Sequence, residues 1–201
     1  MRTNADHSGL LHYTRHLTFG IEDGFFFPRN MEQYLPHLRS ITKLHALTLI
    51  TFHAHLFIPV FNQYFGMFAS TLRRLDLRNA YCTEQQFLYI ISQFPLLDDL
   101  RILSPIEMVS HPRHQVPAIR QSPPLRGKLV LAQAYSRELF EGLAAFPGGL
   151  HFRSIELFRC GSPRPVLEAC SHSVTSISYL WYTWNSTNGN SNPSIHMDVM
   201  I

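Results

Sequence analysis

Apolar residues recur along this chain in one short phrase, Leu-x-x-Leu-x-Leu. It fits Leu44-Leu47-Leu49, Leu72-Leu75-Leu77, Leu97-Leu100-Ile102, Phe152-Ile155-Leu157 and Val174-Ile177-Tyr179. A weaker copy has Arg126 in first place, followed by Leu129 and Leu131, and near the start Leu17 and Phe19 supply the last two positions. The final anchors, Phe19, Leu49, Leu77, Ile102, Leu131, Leu157 and Tyr179, lie 30, 28, 25, 29, 26 and 22 residues apart. Within each phrase the alternation has period two, which predicts a strand with both apolar side chains on one face.

The stretches between phrases predict helices. Thr83 and Gln86 form a capping-box pattern. Phe87, Ile90, Ile91 and Phe94 follow at helical spacing, and Pro95 stops the helix. Ser136 caps a second helix with Leu139, Phe140, Leu143 and Phe146 on its apolar face, ended by Pro147-Gly148. Softer helical stretches are Asn30–Ser40, with Pro36 near an end, and Pro59–Ser70. Pro163–Cys170 is a short one, with Pro165 suited to a first turn.

Strand, turn, helix and turn thus repeat at about 20–30 residues, the period of leucine-rich repeats. The predicted fold is an α/β leucine-rich-repeat-like solenoid of about seven irregular strand-helix units, with a parallel curved sheet. A doubly wound α/β domain is the competing architecture. The short period and the polar residues between the leucines argue against it, because strands covered on both faces read as continuous Val/Ile runs. Three residues past each anchor stand Phe52, Ala80, Pro105, Ala134, Cys160 and Tyr182, the place where such repeats bury a small or hydrogen-bonding residue in the turn. Residues 1–13 read as a lead-in, 14–184 as the repeat domain and 185–201 as a polar tail. Neither end shows a clear solenoid cap.

The segments "STLRRLDLRNAYCTEQQFLYIISQFPLLDDLRIL" and "LHFRSIELFRC" through "VLEACSHSVTSISYLW" resemble the degenerate leucine-rich-repeat region of F-box-like proteins from mushroom-forming fungi. The shared phrase is a strand, a polar turn and a helix ending in Phe-Pro-x-Leu-x-x-Leu, here Phe94 to Leu100. The likeness runs from about Tyr13 to Tyr182. It implies the substrate-recognition part of a ubiquitin ligase adaptor. Such proteins carry a helical F-box ahead of the repeats. Nothing before Thr14 has room for it, which argues against docking to a ligase complex.

Composition narrows the choice of function. Hydrophobic residues make up 45% and charged ones 15%, so the bulk of the chain is expected to fold around a sizeable core. A net charge of +3 is too mild for a nucleic-acid binder. No apolar run reaches the roughly 18 residues of a membrane span. Three cysteines, Cys82, Cys160 and Cys170, without CxxC spacing predict free buried thiols in an intracellular protein, cytoplasmic or nuclear. Twelve histidines include His53-Ala54-His55 and the His111/His114 pair, yet neither lies near a carboxylate or cysteine at ligand spacing. GxSxG, GxGxxG and GxxxxGK[ST] are absent. We therefore expect no enzyme, no cofactor and no metal.

Two surfaces are candidates for a protein partner. One is Ser104–Gly127, with five prolines and the bases Arg113, Arg120 and Arg126, expected as a loop over one rim. The other is the concave face, built from the positions flanking each Leu-x-Leu. Its candidate binding residues are Arg74, Asp76, Arg78, Asp99, Arg101, Lys128 and Glu156, beside Ala46, Thr48, Ile50, Leu103, Val130, Ser154 and Phe158. Lateral pairing of these charges, Asp76 with Arg101 for instance, is the competing reading. The expected function is a non-catalytic protein-interaction scaffold. The alternatives are a truncated structural remnant, or a hydrolase with a polar pocket at the strand ends. Trp181, Tyr182 and Trp184 form a further aromatic group, either covering the core's end or touching a partner.

Overall fold

The computed structural model describes residues 11–20, 35–108, 116, 119, 122–181 and 195–200. In chain order they form β1 (His16–Gly20), β2 (Ala46–His53), α1 (Ala54–Tyr64), β3 (Arg74–Cys82), α2 (Glu84–Ser92), β4 (Asp99–Ile102), β5 (Ile106–Met108), β6 (Leu125–Ala132), α3 (Arg137–Ala144), β7 (Leu150–Phe158), α4 (Arg164–Cys170), β8 (Ser176–Trp181) and β9 (Ile195–Met200). Two short 3-10 turns, Leu35–Ser40 and Gly66–Phe68, complete the described elements.

The chain is an α/β protein with one open sheet. Strands follow one another across it in the order β1-β2-β3-β4-β6-β7-β8-β9, and β5 pairs beside β3. All pairings are parallel except β8 with β9. The sequence anchors fall in register. Phe19, Leu49, Leu77, Ile102, Leu131, Leu157 and Tyr179 form one continuous row across seven strands, and Leu17, Leu47, Leu75, Leu100, Leu129, Ile155 and Ile177 form a second. From Leu47 to Leu157 every member of both rows is at most 3% exposed.

Four strands, β2, β3, β6 and β7, bend through one residue with left-handed backbone in or just past the strand. Thr51, Asn79, Gln133 and Arg159 have φ of +47°, +50°, +56° and +48°, and each stands two residues past its anchor. The next residue then turns inward, so that Phe52, Ala80, Ala134 and Cys160 are buried. The Cys160 thiol donates to the Leu131 carbonyl of the neighbouring strand at 2.8 Å, the hydrogen-bonding role foreseen for that position. The junction after β4 departs from this. Ile106, not Pro105, lies level with Ala80. Pro105 is exposed, because this turn is one residue longer and feeds β5 instead of a helix.

The four helices touch in succession, α1 with α2, α2 with α3, and α3 with α4, forming one layer against the apolar rows. The Thr83/Gln86 capping box is formed, with Gln86 N donating to Thr83 Oγ1 at 3.2 Å and Thr83 N to Gln86 Oε1 at 3.0 Å. Ser136 Oγ accepts from Leu139 N at 3.2 Å. Phe87, Ile90, Ile91, Phe94, Leu139, Phe140, Leu143 and Phe146 are all buried. Pro165 lies in the first turn of α4.

Seven parallel strands carry the anchors, and among the described residues an α-helix follows four of them. Past β4 the described chain enters the pairing strand β5. Two expectations are corrected. First, α1 starts at Ala54, five residues before the expected start, and runs through Pro59. Second, the segment read as a polar tail contributes β9. Ile195, Met197 and Val199 alternate with period two and register with Trp181, Tyr179 and Ile177. The remainder of that tail, the 109–115 part of the Pro-rich segment with His111 and His114, and Tyr182 and Trp184 lie outside the described residues.

Candidate functional site

The face of the sheet opposite the helix layer carries the predicted binding residues. Three rows cross it. Arg74, Asp99 and Lys128 register in the first, and Asp76, Arg101, Val130 and Glu156 in the second. The third contains Ile50 and Arg78, which register together, and Ala132, Phe158 and Leu180. Leu103 occupies the position just after Ile102 and holds its place by donating its backbone N–H to the Leu77 carbonyl at 2.9 Å.

In the first two rows the charges satisfy one another. Arg74 grips Asp76 of its own strand with two bonds, Nε to Oδ1 at 2.8 Å and Nη2 to Oδ2 at 2.7 Å. Asp76 is thereby sealed to 1% exposure. Arg101 grips Asp99 in the same way, Nε to Oδ1 at 2.9 Å and Nη2 to Oδ2 at 2.8 Å. Arg74 Nε also reaches Asp99 Oδ2 at 4.0 Å, so the two forks form one network. Lys128 Nζ meets Glu156 Oε1 at 2.6 Å across strands. The side-chain bonds to Asp76 and Asp99 push the guanidinium pKa values of Arg74 and Arg101 up, partly opposed by burial. The anticipated Asp76–Arg101 pair is corrected. These residues are level in register, but residues two apart on one strand share a face, and Arg74 already occupies both carboxylate oxygens of Asp76.

Six of the seven predicted residues are thus paired off as three neutral couples. Arg78 differs: it is exposed and makes no ion pair or side-chain hydrogen bond among the described residues. Its lateral surroundings are apolar and half-buried, with Ile50 and Leu103 to either side and Ala132, Phe158 and Leu180 farther along. The face therefore divides into a self-neutralised polar half, where the strands begin, and a mostly apolar half, where they end, which carries Arg78 and has the Arg159 guanidinium 5.8 Å from the Phe158 ring centroid.

Histidines take other roles. His16 Nε2 bonds Thr48 Oγ1 at 2.9 Å on this face. His53 stacks on Tyr81 with ring centroids 4.6 Å apart, and the helix beginning at Ala54 ends the extended geometry that would align it with His55. No group of three or more His, Cys, Asp or Glu among the described residues is placed to hold a metal. The three cysteines are buried and in no disulfide, and burial pushes the Cys82 thiol up to about 12 and Cys170 up to about 11.

Sequence reading missed one grouping. At the end of the sheet where the strands begin, Asp98, Arg126, Gly127, His151, Arg153 and Ser173 line a cleft of about 480 Å³. Of these, only Arg126 carried a sequence signal, as a base of the Pro-rich segment. No described helix is long and apolar enough to cross a membrane. Comparison with protein-family models, curated proteins and solved structures finds no match to this chain.

Proposed function

We propose that this chain is a leucine-rich-repeat-like recognition module that binds a protein partner on the helix-free face and performs no catalysis. By resemblance, it corresponds to the substrate-reading repeats of an F-box-type ubiquitin ligase adaptor. The observation that carries the reading is Arg78, an exposed cation with no ion pair among the described residues, set in an apolar row beside charges that are neutralised. An apolar patch with a central arginine is the composition that concentrates binding energy at protein interfaces. The paired couples beside it favour partners with few charges there, since a misplaced charge would compete with a bond already made.

Spacing points to a helical partner. Strands lie about 4.8 Å apart, and a helix advances about 5.4 Å per turn. A helix laid across the strands therefore brings one apolar side chain to each strand in turn, with an acidic residue over Arg78. The test is site-specific photo-crosslinking at Leu103 and Phe158 on this face, and at Leu96 and Arg164 away from it. The expected result is a discrete adduct from the face positions alone, lost in an Arg78→Glu variant of unchanged thermal stability. Adducts from all four positions, or adducts indifferent to Arg78→Glu, overturn the reading.

A further inference from the structure

The sheet is least regular where β6 meets β7. Arg126 and Gly127 register with His151 and Phe152, but Lys128 registers with Ser154, so Arg153 is an extra residue bulged out of the ladder. A bulge re-aims the side chain it carries. Gly127 sits at φ +78°, and a Cβ there would lie 2.1 Å from the Asp98 carbonyl oxygen. Only glycine lets these two segments come so close, and Lys128 N donates to that same carbonyl at 2.8 Å. The bulge and the glycine together open the cleft, whose volume of about 480 Å³ lies within the range of small-ligand sites.

Its chemistry is that of an oxyanion site. Arg126 and Arg153 both line it, both are exposed, and neither makes an ion pair among the described residues. The His151 ring lies edge-to-face with His172, with centroids 4.8 Å apart. Ser173 Oγ spends its one proton on the Phe152 and Cys170 carbonyls, both at 3.1 Å, so it gives no donor to an anion and can only accept, from a hydroxyl of the ligand. Among the described lining residues the one acid is Asp98, which pairs with neither arginine. A carboxylate ligand offers a single two-oxygen edge and satisfies one guanidinium fork. A phosphomonoester offers three terminal oxygens and can satisfy two. Asp98 then serves as an acceptor for a hydroxyl on the group that carries the phosphate.

We propose that this cleft binds the phosphomonoester of a small hydroxylated molecule, with Arg126 and Arg153 on the phosphate and Asp98 on a carrier hydroxyl. The site uses none of the residues that the helix-free face offers a partner and stands or falls apart from them.

Calorimetric titration of the full chain with glycerol 3-phosphate, inorganic phosphate and a phosphoserine peptide tests it. Glycerol 3-phosphate is expected to bind saturably, about tenfold tighter than inorganic phosphate, and to shift the Gly127 amide resonance. Arg126→Gln and Arg153→Gln should each weaken it by about tenfold or more. Asp98→Asn should shrink the preference for the ester over inorganic phosphate. Arg164→Gln, at an exposed position of α4, should change nothing. Arg126 is exposed, so its variant remains informative if the bulge variant fails to fold, and circular dichroism checks both. The proposal is overturned by absence of saturation below ~10 mM, by equal weakening in Arg164→Gln, or by a phosphoserine peptide that outcompetes the small ester.

Discussion

Helices α1 and α2 occupy equivalent places behind neighbouring strands, yet they are held by different means. α2 is written locally: Thr83 and Gln86 close a reciprocal cap, and the apolar positions that follow keep helical spacing. α1 has no side-chain cap, begins at His53-Ala54, and contains Pro59, which removes a backbone donor from its middle. What holds α1 is aromatic packing. Phe57, Phe61 and Phe65 lie within 5.8 Å of one another centroid to centroid, with Phe19 and Phe52 against Phe57 and Phe94 against Phe61. The contrast teaches that one repeat position can be filled either by a segment that favours helix by itself or by one that becomes helical because its neighbours leave a slot for phenylalanine.

Substitutions can break this contrast. Phe61→Ala should be the most damaging, destabilising the fold by about 3–5 kcal/mol through the cavity it leaves. Chemical denaturation would report it, and loss of α1 amide protection ahead of α2 would accompany it. Leu143→Ala, on the capped helix α3, should cost about 2–5 kcal/mol, with the helix signal retained until global unfolding. Thr83→Ala should cost about 1 kcal/mol by thermal denaturation, whereas His53→Ala, which removes no cap bond, should leave the α1 boundary in hydrogen exchange where it is. Thr51 and Asn79 hold the same left-handed turn ahead of α1 and α2. A β-branched residue is strained there and asparagine is tolerated, so Thr51→Asn should raise stability by up to about 1 kcal/mol.

The last prediction concerns alkaline pH. Cys82, just before α2, is fully buried and its thiol is pushed up to about 12, so the folded state holds that proton more tightly than the unfolded chain does. Stability from this thiol is complete below the ordinary thiol range near 8.5 and is lost as pH rises towards 12. Melting temperature measured from pH 7 to 11 should fall more steeply in the native protein than in Cys82→Ala.

The same contrast explains what the sequence disclosed. Rows of leucines at fixed offsets, and the caps at Thr83 and Ser136, are local patterns, and the strand register and the starts of α2 and α3 followed from them. The α1 start was misplaced because Pro59 reads as a helix beginning while the residues that stabilise the helix, Phe19 and Phe94, are far away in the chain. Charge pairing was foreseen in kind but not in detail. Register alone favours Asp76 with Arg101, and only side-chain geometry reveals that Arg74 arrives first. The cleft at Arg126 and Arg153 was illegible, because it depends on a one-residue slip between strands that no spacing rule marks.

Strand order has a mechanical consequence. Each main strand is zipped to its predecessor and its successor in the chain, so tension applied between the termini loads the outermost seam first. Pulled in a force spectrometer, such a molecule should surrender in a staircase of small ruptures, each releasing one hairbreadth of slack, instead of giving way in a single snap.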